Sequence, residues 1–291
     1  SAGGPQAAVP PALWTVASPA EAQPRGEWWL GFQDPALAEL VQRAGSANTC
    51  IQQAAGRLAE ARSLLRSADA ARSVQVGASA GVTRQAGAAT TGSATPATLG
   101  TAGLNVSYEL DLFGKLSQTS DAARLDADAR AALLQSTRLM VQADVAQTYL
   151  QLRAAQTELQ LVNESLAAYR DTLRLTQRRQ QAGDVAELDV ARVQTEVAAT
   201  ESDALALQRQ QALLTNALAV LAGEVASGFV LPPASGDAAL PVIPLGVPGT
   251  VLARRPDVSA AQAAVLAAQA RVGVAQKAWF PAVTLTGNAG H

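Results

Sequence analysis

The groups with which this chain could do chemistry are few. His291 is the only histidine and Cys50 the only cysteine. A Ser-His-Asp or Cys-His relay therefore has no spare base, the usual zinc clusters are excluded, and no internal disulfide can form. No phosphate-cradling loop ending in Gly-Lys-Ser/Thr is present. Two groups of carboxylates stand out. Asp184, Glu187 and Asp189 surround Gly183, but their spacing lacks the calcium-loop pattern, so no metal is expected there. Glu109, Asp111 and Asp121 cluster where an alternating pattern gives way to a helical one. They either line a water-filled conduit and favour cations, or mark a wet strand face and a solvated helix start; the second reading is the simpler. A hydrolase built on carboxylates alone would need a cleft, and these residues sit among rods and strands. No catalytic residue, cofactor or metal is expected, and the chain is not expected to be an enzyme.

Composition narrows the partners. Of 291 residues 48% are hydrophobic, 16% charged and 4% aromatic, with a formal net charge of -2. Soluble domains carry about 25% charged residues, and without a basic excess nucleic acid is not favoured. Alanine supplies much of the apolar count, which suits helices packed closely along their length better than one large core. No uninterrupted apolar run reaches the ~18 residues that would signal a membrane-spanning helix.

The elements that must position these residues are organised by a duplication. Asn48 through Ala59-Glu60-Ala61-Arg62 to Ser73-Val74-Gln75-Val76 is repeated about 210 residues later as Asp257 through Ala268-Gln269-Ala270-Arg271 to Ala282-Val283-Thr284-Leu285. Each copy is an Ala-rich helical pattern that becomes a strand pattern. The period is too long for a solenoid and implies two similar halves.

Residues 1–46 read as a Pro/Gly/Ala-rich arm, the apolar cluster Trp28-Trp29-Leu30-Gly31-Phe32, and a short helix opened by Asp34-Pro35 and closed by Gly45. Asn48 is the N-cap candidate of a helix over 47–72. Over 73–112 two alternating stretches flank a Gly/Ala/Thr-rich loop at 87–100. Val74, Val76, Val82, Leu104, Val106, Tyr108 and Leu110 fall on an apolar face, while Asn105, Glu109 and Asp111 fall on a polar one. From 117 to 182 there is neither Pro nor Gly. There Val145, Tyr149, Leu152, Gln156, Leu159, Val162, Leu166, Tyr169 and Leu173 form a seam. Gly183-Asp184 turns the chain. A return helix over 186–222 carries the matching seam Val190, Val193, Val197, Thr200, Ala204, Leu207, Gln211, Leu214, Leu218 and Leu221, so 113–222 should be a coiled-coil hairpin. Residues 223–253 are a Pro-rich connection, and 254–291 begin the second copy with a helix and part of a strand.

Lengths tie these pieces together. The 117–182 helix should span about 100 Å, and the 47–72 and 186–222 helices end to end about 95 Å. Strands of about ten residues suffice to cross an outer membrane when tilted. A lone hairpin cannot sit in lipid with its edges unpaired, so a closed sheet needs strands from elsewhere; a soluble sheet with one wet face is the alternative.

Several motifs, in their order and spacing, resemble the TolC-like outer-membrane factor family in its lipoprotein (NodT/OprM-type) branch. They are Trp28-Trp29 with Phe32-Gln33-Asp34-Pro35-Ala36-Leu37, Tyr108-Glu109-Leu110-Asp111-Leu112-Phe113-Gly114-Lys115, Tyr149-Leu150-Gln151-Leu152-Arg153, Arg179 through Gly183 to Leu188-Asp189-Val190, Ala217-Leu218-Ala219-Val220-Leu221-Ala222-Gly223 and Arg254-Arg255-Pro256-Asp257-Val258. The resemblance implies a mostly helical fold with membrane β-strands. In a homotrimer each chain would give four strands to a twelve-stranded barrel in outer-membrane lipid, and a twelve-helix tunnel would extend into the periplasm of a Gram-negative bacterium. On this scheme 1–46 and 223–253 are equatorial, 47–72 is an upper tunnel helix, and the hairpin tip lies near 183. The tip residues Arg179, Gly183, Asp184, Leu188 and Asp189 would meet a periplasmic adaptor linked to an inner-membrane pump, although turn chemistry alone also accounts for Gly183 and Asp184.

The implied function is the exit duct of a tripartite efflux or secretion system, passive and gated by untwisting of the tip helices; the alternative is a periplasmic coiled-coil scaffold without a pore. Two departures stand out. The family's lipidated N-terminal Cys is not seen, since the chain begins at Ser1 and Cys50 lies in a helix. The second copy also stops in its first strand, so the chain is expected to be a fragment or else unable to form a pore by itself.

Overall fold

The structure is a computed structural model and describes residues 27–85, 97–231 and 254–290. The arm at 1–26, most of the 87–100 loop, the greater part of the Pro-rich connection and His291 lie outside the described residues. The elements in order are a 3-10 turn at Trp28–Phe32, α1 (Pro35–Ala47), α2 (Thr49–Ala70), β1 (Gln75–Gln85), β2 (Ala97–Leu110), α3 (Lys115–Gln181), α4 (Glu187–Leu221), a short 3-10 turn at Ala226–Gly228, α5 (Pro256–Lys277) and β3 (Val283–Gly290). Two compact units divide the chain: Ser1–Gln53 with Ser136–Val251, and Ala54–Gln135 with Leu252–His291. The uninterrupted 67-residue α3 contributes to both.

In the first unit, α1 starts as its sequence dictates. Asp34 Oδ1 accepts hydrogen bonds from the amides of Ala36 and Leu37 at 2.9 and 3.3 Å, and Pro35 occupies the first helical position. Leu37, Leu40, Val41 and Ala44 are buried. Gly45 does not end this helix as the sequence suggested; α1 continues to Ala47 and stops where Asn48 turns extended. Asn48 is the reason. Its Oδ1 accepts from the amides of Cys50 (2.9 Å) and Ile51 (3.4 Å), capping α2, while its Nδ2 donates to the carbonyl of Leu221 (2.9 Å) in the last turn of α4. One buried amide therefore satisfies orphan groups at the start of one helix and the end of another. Gly223 follows α4 at φ 72°, and a Cβ there would run into the backbone of Ala47, so both the left-handed backbone and the lack of space require glycine.

The α3–α4 hairpin closes over Val145, Tyr149, Leu152, Leu166, Val190, Val197, Thr200, Ala204, Leu207 and Leu218, all buried. Tyr169 departs from the expected seam and stands exposed. The polar seam residues are satisfied locally: Thr200 donates its hydroxyl to the Glu196 carbonyl, and Gln211 Nε2 donates to the Ala155 carbonyl across the hairpin at 2.9 Å. Tyr149, with 0% exposure, donates to Asp34 Oδ2 at 2.6 Å. Arg153 Nε donates to the same phenol oxygen at 2.9 Å, and its guanidinium lies 4.8 Å from the ring centroid. The Asp34 carboxylate thus caps α1 and locks it to α3.

In the second unit α2, the early part of α3 and α5 pack through small residues: Ala61, Ala122, Ala127, Ala129, Ala260 and Ala267 are buried with Leu58 and Leu134. Ser120, fully buried, donates to Asp69, and Arg271 pairs with Asp126. Among the described helices α5 alone is apolar and long enough by length and composition to cross a membrane, although polar residues interrupt it. Its alanines raise its hydropathy, and its Arg271 and Lys277 are both engaged with α3 or the turn before it. The three strands form one antiparallel sheet ordered β1-β2-β3. The duplication is visible here: α2 leading to β1 and α5 leading to β3 are each a 22-residue helix followed by a strand.

Replacing Asn48 by Ala removes a cap and strands a partly buried carbonyl, so Asn48→Ala should lose about 1–3 kcal/mol of stability, read as a lower melting temperature by circular dichroism. Burial raises the Tyr149 pKa above its ordinary 10.0, the hydrogen bond to Asp34 adds to this, and Arg153 opposes it. The stability Tyr149 contributes is complete below the unfolded value and is lost as pH rises through the raised folded one. The melting temperature should therefore fall more steeply above pH 10.0 in the unaltered chain than in Tyr149→Phe.

Candidate functional site

The sheet sorts its side chains onto two unlike faces. Cross-strand register pairs Val76 with Val106, Ala78 with Leu104, Ala80 with Ala102, Tyr108 with Leu285 and Leu110 with Val283. The other face pairs Gln75 with Ser107, Gly77 with Asn105, Ser79 with Gly103, Glu109 with Thr284 and Asn105 with Asn288. The apolar face is uncovered: Val76 is 70% and Val82 78% exposed. Tyr108 is half-buried in this sheet. Val74 lies one residue ahead of β1 and not in the sheet. The β3 residues Val283 and Leu285 join the apolar face, although sequence reasoning did not include them. The repeat could have supplied them, because Val283 and Leu285 stand where Val74 and Val76 stand in the first copy. Among the described residues the outer edges of β1 and β3 have no partner strand.

The polar face carries amides, hydroxyls and glycines, with Asn105 and Glu109 where the alternation put them. Asp111 is a different case. β2 ends at Leu110, and the Asp111 carboxylate reaches forward to accept from the amides of Leu116 (2.9 Å) and Ser117 (2.8 Å) in the first turn of α3. Burial works against its ionisation, but these two backbone bonds, the Ser117 hydroxyl and the charge of Arg72 prevail and hold its carboxyl below the usual range. Asp111 therefore starts a helix, which is why α3 begins at Lys115, before the expected 117. Around this junction Phe113 stacks on Phe280 with centroids 4.7 Å apart, and Lys277 Nζ donates to the Gly114 carbonyl at 3.3 Å. Sequence inspection missed both contacts, which join residues far apart in the chain.

At the other end of α3 the turn is built from backbone bonds. The Asp184 amide donates to the Arg179 carbonyl at 2.9 Å, the Gly183 amide to Gln180 at 3.0 Å, and Gly183 has φ 81°. Asp189 Oδ2 accepts from the Ala186 amide at 3.3 Å, standing in for a side chain that alanine cannot supply at the N-cap of α4. Of the five tip residues, Arg179, Gly183, Asp184 and Leu188 face solvent, with Leu188 60% exposed, while Asp189 is half-buried and engaged. Among the described residues no group of three or more His, Cys, Asp or Glu is arranged to hold a metal.

A model of the outer membrane efflux protein family matches residues 40–224 and 247–291. The toluene efflux pump outer membrane protein TtgF of Pseudomonas putida is 33% identical over 90% of this chain and 55% of that protein. The cation efflux system protein CusC of Escherichia coli is 30% identical over 89% of this chain and 56% of that protein. Among solved structures, the outer-membrane channel OprN matches with a TM-score of 0.77 at 31% identity, covering 91% of this chain and 61% of that one. VceC from Vibrio cholerae matches with a TM-score of 0.76 at 28% identity, covering 92% and 65%. The chain thus spans a little over half the length of these curated relatives. With its helical hairpin, its repeated helix–strand units and its two-faced sheet, the chain belongs to the outer membrane efflux protein family.

Proposed function

We propose that this chain supplies one protomer's share of a homotrimeric exit duct, the outer-membrane component of a tripartite efflux or secretion system. Membership of the family makes it an outer-membrane chain with its helical part on the periplasmic side. The observation that carries the duct reading is the sheet: among the described residues one face is apolar and uncovered, the other is mostly polar, and the two outer edges have no partner strand. On this reading Val76, Val82, Leu104, Val106, Tyr108 and Leu110 meet lipid, Val74 flanks them, and Asn105 and Glu109 line the lumen. Asp111 serves the helix start instead of the wall. Strands from further repeats and from two more copies close the barrel, as unpaired edges in lipid demand.

The tip around Gly183 is the docking surface for a periplasmic adaptor, which joins the duct to an inner-membrane pump. Leu188 offers an exposed apolar knob, and Arg179 and Asp184 offer flanking hydrogen-bonding groups; Asp189 holds the turn. The pump supplies the energy and most of the selectivity, so the duct does no covalent chemistry. Relatives carry toluene efflux, cation efflux and pyoverdine export in their names, which fits a wall that is indifferent to its cargo.

In planar bilayers the protein, at its natural length, should give stepwise conductance and require detergent for extraction; a protein that stays in the soluble fraction and gives no conductance refutes the duct. Leu188→Asp should abolish cross-linking to the periplasmic adaptor while leaving conductance unchanged. Equal cross-linking in Leu188→Asp would remove Leu188 from the docking surface.

A further inference from the structure

Lys115 and Lys277 are the only lysines of the chain; apart from His291, every other basic side chain is arginine. Both stand at one junction. Lys115 is the first residue of α3 and Lys277 the last of α5, and both belong to the same unit of the chain. Leu110 ends β2 opposite Val283, which begins β3. Between each strand end and its lysine the chain carries an aromatic ring. Phe113 and Phe280 each lie three residues outside the sheet, and they stack on one another with centroids 4.7 Å apart. Trp279, next to Phe280, is 92% exposed, and Leu112 is exposed as well.

The passage from helix to strand does not need these residues. The first copy of the repeat has Ala68, Ala70 and Ala71 where the second has Lys277, Trp279 and Phe280. Both copies nevertheless make a 22-residue helix that leads into a strand of the same sheet. The ammonium groups also have donors to spare. Lys277 Nζ gives one hydrogen bond to the Gly114 carbonyl at 3.3 Å, which leaves two of its three N–H donors. Lys115 is exposed, and its side chain has no hydrogen bond or ion pair among the described residues. The carboxylates nearest along the chain are engaged: Asp111 accepts from the amides of Leu116 and Ser117, and Asp121 pairs with Arg124 at 3.8 Å.

We infer that Lys115 and Lys277, with Trp279 and the Phe113–Phe280 stack, form a docking site for the headgroup of an acidic glycerophospholipid at the periplasmic end of the sheet. The inference rests on the duct reading, since the apolar face must lie in a bilayer. Apolar strand, aromatic ring and ammonium follow one another along the chain in the order hydrocarbon, interface and phosphate. The exposed indole lies against the glycerol region and the acyl chains, and the lysines meet the phosphate above them as compact charges. A zwitterionic headgroup brings its own cation to the same place and repels the lysines. An acidic one does not, so the pair discriminates between lipids by charge.

The test uses the full-length protein in vesicles of equal parts phosphatidylglycerol and phosphatidylcholine, with bromine on the acyl chains of one lipid or the other. The readout is the share of tryptophan emission that disappears in Trp279→Phe. Quenching of that share should report about fivefold enrichment of phosphatidylglycerol, the effect of roughly one lysine beside an acidic headgroup. Lys115→Gln combined with Lys277→Gln should bring the two lipids level, and Lys115→Arg combined with Lys277→Arg should keep the preference. Equal quenching in the unaltered protein, or a preference that survives the double glutamine variant, overturns the site while a conducting channel leaves the duct intact. Quenching by neither lipid puts Trp279 outside the bilayer and overturns it too. A preference removed by excess inorganic phosphate at matched ionic strength assigns the lysines to free phosphate and overturns the lipid. Should the double glutamine variant fail to assemble, the unaltered protein decides: its preference should vanish at about 1 M salt, where the screening length is about 3 Å, and a preference indifferent to salt overturns the proposal. No conductance from the unaltered protein overturns the duct, and the lipid site with it.

Discussion

The backbone hydrogen bonds of the sheet's edges are the constraint on which everything else rests. β1 and β3 each present one ladder of amides and carbonyls with no partner among the described residues. In water such edges recruit other strands, and the uncovered valines beside them would drive aggregation. In lipid an open edge is not tolerated at all. Closure into a barrel satisfies the edges, and a surrounding bilayer satisfies the apolar face.

The helices answer that constraint by fixing where each strand begins and ends. β2 hands over to α3 through Asp111, whose carboxylate reaches forward to two amides of the new helix. α5 hands over to β3 beside the same point, with Phe280 against Phe113 and Lys277 on the Gly114 carbonyl. A strand leaving the sheet and a strand entering it are thereby held together, and this sets the β2–β3 register that places Glu109 opposite Thr284. At the opposite end of α2, Asn48 makes the corresponding join between α2 and α4. In both places a short polar side chain satisfies backbone groups that a helix end would otherwise leave orphaned.

The legible part of this fold was what local periodicity encodes. The alternation over 101–110 identified both faces of β2, because a period of two leaves no choice of side. The Pro- and Gly-free stretch from 117 gave α3, and Asp34 and Asn48 announced their helices by type and position. What escaped was non-local. The Phe113–Phe280 stack and the Asp34–Tyr149–Arg153 lock join residues more than a hundred positions apart, and no spacing rule reaches that far. Gly45 misled because glycine is a stop signal only where the chain turns left-handed, and here Asn48 ended the helix instead. Asp111 misled because alternation continued past the strand's end, so a capping carboxylate looked like one more residue of the wet face.

Tyr169 carries the argument one step further. It follows the 3- and 4-residue stepping of the seam, yet it stands exposed, and Leu161, Leu175, Leu205 and Leu213 are exposed elsewhere on the same hairpin. A helix with a single partner concentrates its apolar residues in one stripe. Here α3 and α4 spread theirs around the circumference, leaving more apolar surface than one hairpin can cover. The small seam residues Ala155, Ala204 and Thr200 let the two helices approach closely, and the larger side chains are left for neighbours on either flank. The hairpin therefore carries exposed apolar surface that its own two helices leave uncovered.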